Sequence, residues 1–179
     1  MSMTKQILIT GFGGQGILFA GKFLAFKGMH DEKQVSWLPS YGPEMRGGTA
    51  SCSVIISDLP VGSPIVTYPD CLIAMNLPSL DKYEKAVVAG GQIYVDSTLI
   101  TRKVERTDVD TFYIPATQMA SDEGLNTLAN MIIMGKLIKE SGFITYDNIE
   151  DTLKKFISAK HMNLLQANLK AIELGYNYN

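Results

Sequence analysis

Gly11-Phe12-Gly13-Gly14-Gln15-Gly16 follows a short apolar, β-branched run at residues 6–9 and opens a helix-length segment at residues 15–27 that carries Ile17, Leu18, Ala20, Phe23, Leu24 and Phe26. A strand that runs into a glycine turn and then a helix commits the chain to an α/β unit. Glycine permits positive φ and close backbone approach, and the helix start offers unpaired N–H groups at the positive end of its dipole. Such a turn suits an anionic or polar group, and it equally suits tight strand–helix packing. The dinucleotide version of the motif also needs a carboxylate at the C-terminal end of the second strand, to hold ribose hydroxyls. Asp31 and Glu32 come before that strand, and its far end reads Pro39-Ser40-Tyr41. The acid is at the wrong end for ribose.

The pattern continues as alternating strands and helices. Gly28 is a candidate C-cap for the first helix. Residues 34–38 read as a second strand and 49–57 as a third, in which Ala50, Cys52, Val54 and Ile56 alternate with Ser51, Ser53 and Ile55. So few residues separate them that no helical crossover fits, so as neighbours they must be antiparallel. Strands are expected at 71–75, 92–95 and 112–114, with a helix at 79–88 capped by Ser79. From Gln118 onward the chain turns helical. Leu128, Met131, Ile132, Ile133, Met134, Leu137 and Ile138 are apolar nearly all round, which predicts a central buried helix whose methionines fill core. Ile149, Leu153, Phe156 and Ile157 form a one-sided stripe, and a last helix is expected at 161–173. The fold class is α/β: a three-layer sandwich with a mostly parallel sheet carrying an antiparallel strand, and a helical C-terminal third. Residues 1–179 read as a single domain, with no repeat, linker or low-complexity stretch.

Sixteen Lys and Arg against eighteen Asp and Glu leave a net charge of −2, which lacks the basic excess that nucleic-acid binding demands. Cys52 and Cys71 lie in apolar runs without the spacing of a thiolate metal site, so core thiols are expected. His30 and His161 have no partners at metal-ligand spacing and read as surface or capping residues. The N-terminal apolar run is too short for a signal peptide, and no apolar stretch of about eighteen residues occurs, so a cytoplasmic chain is expected, not a membrane one.

A second informative stretch is Trp37-Leu38-Pro39-Ser40-Tyr41-Gly42-Pro43-Glu44-Met45-Arg46-Gly47-Gly48-Thr49. Its prolines restrict φ and its glycines permit unusual turns, so Tyr41, Glu44 and Arg46 can be held in a fixed presentation. Loops that follow parallel strands share one edge of the sheet, which should bring this loop near the glycine turn. It reads either as a solvated loop or as a recognition loop, with Arg46 as a fork-shaped donor to a partner subunit or an anionic ligand.

These two stretches, with Asp58-Leu-Pro-Val-Gly-Ser-Pro64, Tyr68-Pro-Asp70 and Ala74-Met-Asn-Leu-Pro-Ser-Leu-Asp-Lys-Tyr83, resemble the gamma subunit of 2-oxoacid:ferredoxin (acceptor) oxidoreductases over most of residues 4–135. The intact loop and the Ala74 to Tyr83 stretch look most like the 2-oxoglutarate or branched-chain members. The resemblance implies a multisubunit enzyme that decarboxylates a 2-oxoacid, above all 2-oxoglutarate, on thiamine diphosphate and Mg2+. It passes electrons through iron–sulfur clusters to ferredoxin or flavodoxin and transfers the acyl group to coenzyme A. The implied partners are alpha, beta and delta subunits, with no nucleic acid and no membrane. This chain lacks a thiamine diphosphate motif, and two cysteines cannot ligate a cubane cluster, so no cofactor is expected on it alone and it should be inactive in isolation. Gly11, Gly13, Gly14, Gln15, Gly16, Ser40, Tyr41, Glu44 and Arg46 are the candidate cofactor- or interface-binding residues, with no catalytic residue and no metal ligand. Two other classes remain open: a stand-alone NAD- or FAD-binding oxidoreductase using the glycine turn, and a non-enzymatic interaction module.

Overall fold

The computed structural model describes residues 2–40 and 49–179. Strand β1 (Thr4–Phe12) leads through the glycine turn into α1 (Ile17–His30), followed by β2 (Gln34–Ser40) and β3 (Thr49–Ser57). Then come β4 (Cys71–Ala74), α2 (Leu77–Tyr83) with a 3-10 turn at Glu84–Ala86, β5 (Gln92–Asp96) and β6 (Asp110–Ile114). The C-terminal third holds α3 (Ala116–Asp122), α4 (Ala129–Glu140), α5 (Ile149–Phe156), a 3-10 segment at Ala159–Leu164, and α6 (Leu165–Asn177).

One six-stranded sheet has the order β2-β3-β1-β4-β5-β6. Its β1, β4, β5 and β6 are successive parallel neighbours, whereas β3 runs antiparallel to both β1 and β2. A mostly parallel sheet with one reversed strand is the expected architecture. Two helical layers complete it. On one face Ile7, Ile9, Cys52, Val54, Ile56 and Ile73 pack under α1, α4, α5 and α6. On the other, Leu8, Leu72, Ala74, Ile93 and Val95 pack with Leu80 of α2 and with Ile100. β4 therefore sends alternate side chains into two cores and is buried along its whole length, as a central parallel strand must be.

Several local expectations shift, each for a packing reason. Gly28 does not cap α1, which runs on to His30. A Cβ at Gly28 would come within 2.8 Å of Val35 Cγ1, so this glycine lets the helix lie close on β2. Asn76 rather than Ser79 caps α2: its Oδ1 accepts the Ser79 N–H at 2.9 Å, and Pro78 occupies the first turn, where no N–H is needed. The last helix begins at Leu165 and not at His161, which lies in the preceding 3-10 segment.

The all-round apolar helix is central, as expected: α4 is buried continuously from Asn130 to Ile138. Its one buried cation, Lys136, donates to Glu140 Oε1 at 2.8 Å and to the Tyr178 carbonyl at 2.9 Å, which ties the end of α6 to the core. Cys52 and Cys71 are free, buried thiols, and burial pushes both up to about 12. His30 Nδ1 lies 2.7 Å from Thr152 Oγ1 and joins α1 to α5, while His161 is exposed.

Candidate functional site

After β1 the chain crosses to the α1 face, and after β4 it crosses to the α2 face, so the ends of these two adjacent parallel strands diverge. A crevice opens where they part, at the topological switch point where open α/β sheets usually bind ligands. Gly14, Gln15, Met75, Leu99, Thr117, Asn126, Thr127 and Ala129 line it, around a cavity of about 210 Å³.

The glycine turn forms one wall. Gly14 and Gly16 hold φ of 93° and 73°, so these two glycines of the turn meet its demand for positive φ. Gly16 is also the N-cap of α1, and its carbonyl accepts the Ala20 N–H at 3.0 Å. Gln15 folds back into the turn. Its Oε1 accepts the Phe12 N–H at 2.6 Å, and its Nε2 donates to the Met75 carbonyl at 2.9 Å. Because Phe12 N–H can only donate and the Met75 carbonyl can only accept, this network fixes the orientation of the amide. A Cβ at Gly11 would strike Gln15 Oε1 and Ile17 Cδ1, each at 2.6 Å, so the strand end must be glycine for the turn to close.

Buried polar groups back the other walls. Asp96, fully buried at the end of β5, accepts the Thr98 N–H at 3.1 Å and the Thr117 hydroxyl at 2.6 Å. That leaves Thr117 with its hydroxyl proton engaged and its lone pairs free. Asn130, at the start of α4, donates from Nδ2 to the Gly16 carbonyl at 2.9 Å. Among the described residues, those that line the crevice carry no charge. Amides, hydroxyls and backbone can bind and orient a polar group there. Among the described residues no three His, Cys, Asp or Glu side chains are grouped to hold a metal ion.

Of the candidate residues, the structure brings together Gly11, Gly14, Gln15 and Gly16, with Gly13 exposed at the tip of the turn. Ser40 ends β2 opposite Ser51, and Thr49 pairs with Phe12, so both ends of the Pro- and Gly-rich loop lie on the edge that carries the glycine turn. Tyr41, Glu44 and Arg46 lie outside the described residues. The dinucleotide reading loses its geometry here. β3 stands between β1 and β2, which puts the end of β2 two strand spacings, roughly 10 Å, from the end of β1. Asp31 closes α1 at the opposite end and pairs with the buried Lys27. Sequence reasoning missed Met75, Thr117, Asn126, Thr127 and Asn130. Asn130 carried a signal, since it and Lys136 are the polar side chains in the buried, otherwise apolar run from Asn130 to Ile138.

A family model described as pyruvate ferredoxin/flavodoxin oxidoreductase matches residues 6–178. The ketoisovalerate oxidoreductase subunit VorA of Methanothermobacter thermautotrophicus is 39% identical over 173 residues, which make up 95% of this chain but only 35% of that protein. The 2-oxoglutarate synthase subunit KorC of Methanocaldococcus jannaschii is 35% identical over 179 residues, covering 98% of this chain and 94% of that protein. Among solved structures, the gamma subunit of a keto/oxoacid ferredoxin oxidoreductase from Geobacter sulfurreducens superimposes with a TM-score of 0.81 at 29% identity, over 96% of each chain. Both the open mixed sheet and the helical C-terminal third have their counterpart there.

Proposed function

Because the chain belongs to the pyruvate ferredoxin/flavodoxin oxidoreductase family, we propose that it is the gamma subunit of a multisubunit 2-oxoacid:ferredoxin oxidoreductase, with 2-oxoglutarate as the substrate. On this reading the assembled enzyme oxidatively decarboxylates the 2-oxoacid, delivers the electrons to ferredoxin and leaves the acyl group on coenzyme A. The observation that carries it is the alignment with KorC along nearly all of both chains. The alignment with VorA favours ketoisovalerate as a second reading.

Thiamine diphosphate supplies the decarboxylation chemistry in such enzymes and iron–sulfur clusters the electron path. The thiols present here do not fit the clusters. Cys52 and Cys71 are the chain's two thiols, and both are packed into the core with their pKa raised by burial. On this reading the other subunits hold both groups. What this chain offers is an uncharged crevice at a sheet edge, walled by the glycine turn, with the ends of the Pro- and Gly-rich loop beside it. We place this edge along the border of the active-site entrance or the coenzyme A path.

Co-purification with the neighbouring subunits tests the reading. The isolated chain should reduce no viologen dye with any 2-oxoacid. The reconstituted complex should do so in the presence of coenzyme A, fastest with 2-oxoglutarate. A preference for 2-oxoisovalerate would establish the second reading, and failure to assemble with thiamine- and cluster-bearing subunits would overturn both.

A further inference from the structure

We infer that Gln15 and Asn130 are positioning residues, a two-point clamp that holds the glycine turn against the ends of β4 and α4 and so sets the shape of the crevice. Gln15 was a candidate for ligand contact, yet both ends of its amide are engaged inside the chain, on Phe12 and Met75. It thus bridges the strand ends whose divergence makes the crevice. The clamp's other arm reaches 114 positions along the chain, from Asn130 Nδ2 to the Gly16 carbonyl. Asn130 is 3% exposed, and its Oδ1 has no hydrogen-bond partner among the described residues. A buried carbonyl oxygen without a partner is costly. Keeping an asparagine at this position in an otherwise apolar helix is explained by the bond its Nδ2 makes. The site is also matched in shape: a Cβ at Gly16 would fall 2.5 Å from Asn130 Nδ2, so glycine and asparagine fit as a pair. Without these side-chain bonds the turn would keep only its backbone bonds, from Gln15 N–H to the Phe12 carbonyl at 3.3 Å and from Ala20 N–H to the Gly16 carbonyl at 3.0 Å. The crevice wall would then sample several shapes.

The structural half of this inference stands on the free chain, and its catalytic half rests on the gamma-subunit reading. Gln15→Leu and Asn130→Ala, with Gln15→Leu as the variant placed outside the core, should each speed amide hydrogen exchange across residues 12–18 by about tenfold, the size expected for losing a hydrogen bond of ordinary net strength. Exchange in β4 and in the middle of α4 should stay as in the wild type. In the reconstituted complex the same changes should raise KM for coenzyme A or the 2-oxoacid several-fold with kcat nearly unchanged, and Gln15→Glu, which keeps the acceptor for Phe12 and loses the donor to Met75, should fall between. Unchanged exchange at residues 12–18 in Gln15→Leu would overturn the clamp. Faster exchange with unaltered KM for both substrates would overturn its part in catalysis. A wild-type complex without activity would overturn the gamma-subunit reading and leave the exchange result in place.

Discussion

One glycine of the turn and two of the helical third do opposite things in this molecule. In the turn after β1, a Cβ on Gly14 would meet nothing among the described residues, and the position is glycine because its φ is 93°. In the helical third, Gly135 of α4 and Gly175 of α6 have ordinary helical backbone and are glycine because the helices cross there in backbone contact. A Cβ on Gly135 would overlap the Ile172 carbonyl, and one on Gly175 the Ile132 carbonyl. The demand at Gly14 is conformational and local, and the demand at the helix crossing is steric and made by a partner far away in sequence. Helix propensity alone counts a mid-helix glycine as a weakness of about 1 kcal/mol relative to alanine. At this crossing the same residue is what allows the core to close.

The largest effect should come from breaking the crossing. Gly175→Ala places a methyl group into backbone that cannot step aside as a side chain would, so we expect a loss of roughly 3 kcal/mol or more, the upper end of core overpacking. Urea titration of the purified chain reads it directly. A variant more stable than wild type, as propensity alone would have it, would show that the helices can move apart and that the contrast is unreal. At the turn the cost should be smaller and of another kind. Gly14→Ala should lose about 1–2 kcal/mol through backbone strain, and Gly14→Asn should recover part of it because asparagine tolerates the left-handed region. No comparable rescue is expected at Gly175, since asparagine is larger than alanine. Equal losses for alanine and asparagine at Gly14 would mean that space, not φ, constrains the turn.

The smallest effect belongs to the opposite edge of the sheet, where Asp58 accepts hydrogen bonds from Lys33 Nζ and the Met3 N–H, both at 2.6 Å. The Lys33 bond, then the backbone bond, holds this carboxyl below its usual range. A depressed folded-state pKa contributes stability that is present above the unfolded value and lost as pH falls through the folded one. Asp58→Asn should therefore be slightly less stable than wild type at pH 6, and the two should converge as the pH is lowered through the acid range. A gap that persists once the carboxyl is protonated would assign the effect to packing instead.

How much could be read in advance follows the same division between local and distant causes. Strand–turn–helix within residues 4–30, the antiparallel sense of β2 and β3 as neighbours, and the burial of α4 were all legible, because each rests on a periodicity or a connection length within some tens of residues. So was the uselessness of Asp31 and Glu32 for a dinucleotide, since their place before β2 is a matter of chain order. The glycine turn announced a site by its composition, though not which of its glycines takes the strained conformation.

The alternation of strands and helices, with its glycine turn, was set by short-range rules of side-chain spacing, and those rules say nothing about which strand lies beside which. Strand order was settled by nonlocal pairing: β3 enters between β2 and β1, leaves β1 against β4, and so places the crevice where two crossovers part. Asn130 meets Gly16, and Gly135 meets the backbone of α6, only once that order and the helix packing exist. A polar residue in an apolar helix, or a glycine in its middle, can be recognised as unexpected in the sequence. Its reason is a partner that folding brings to it.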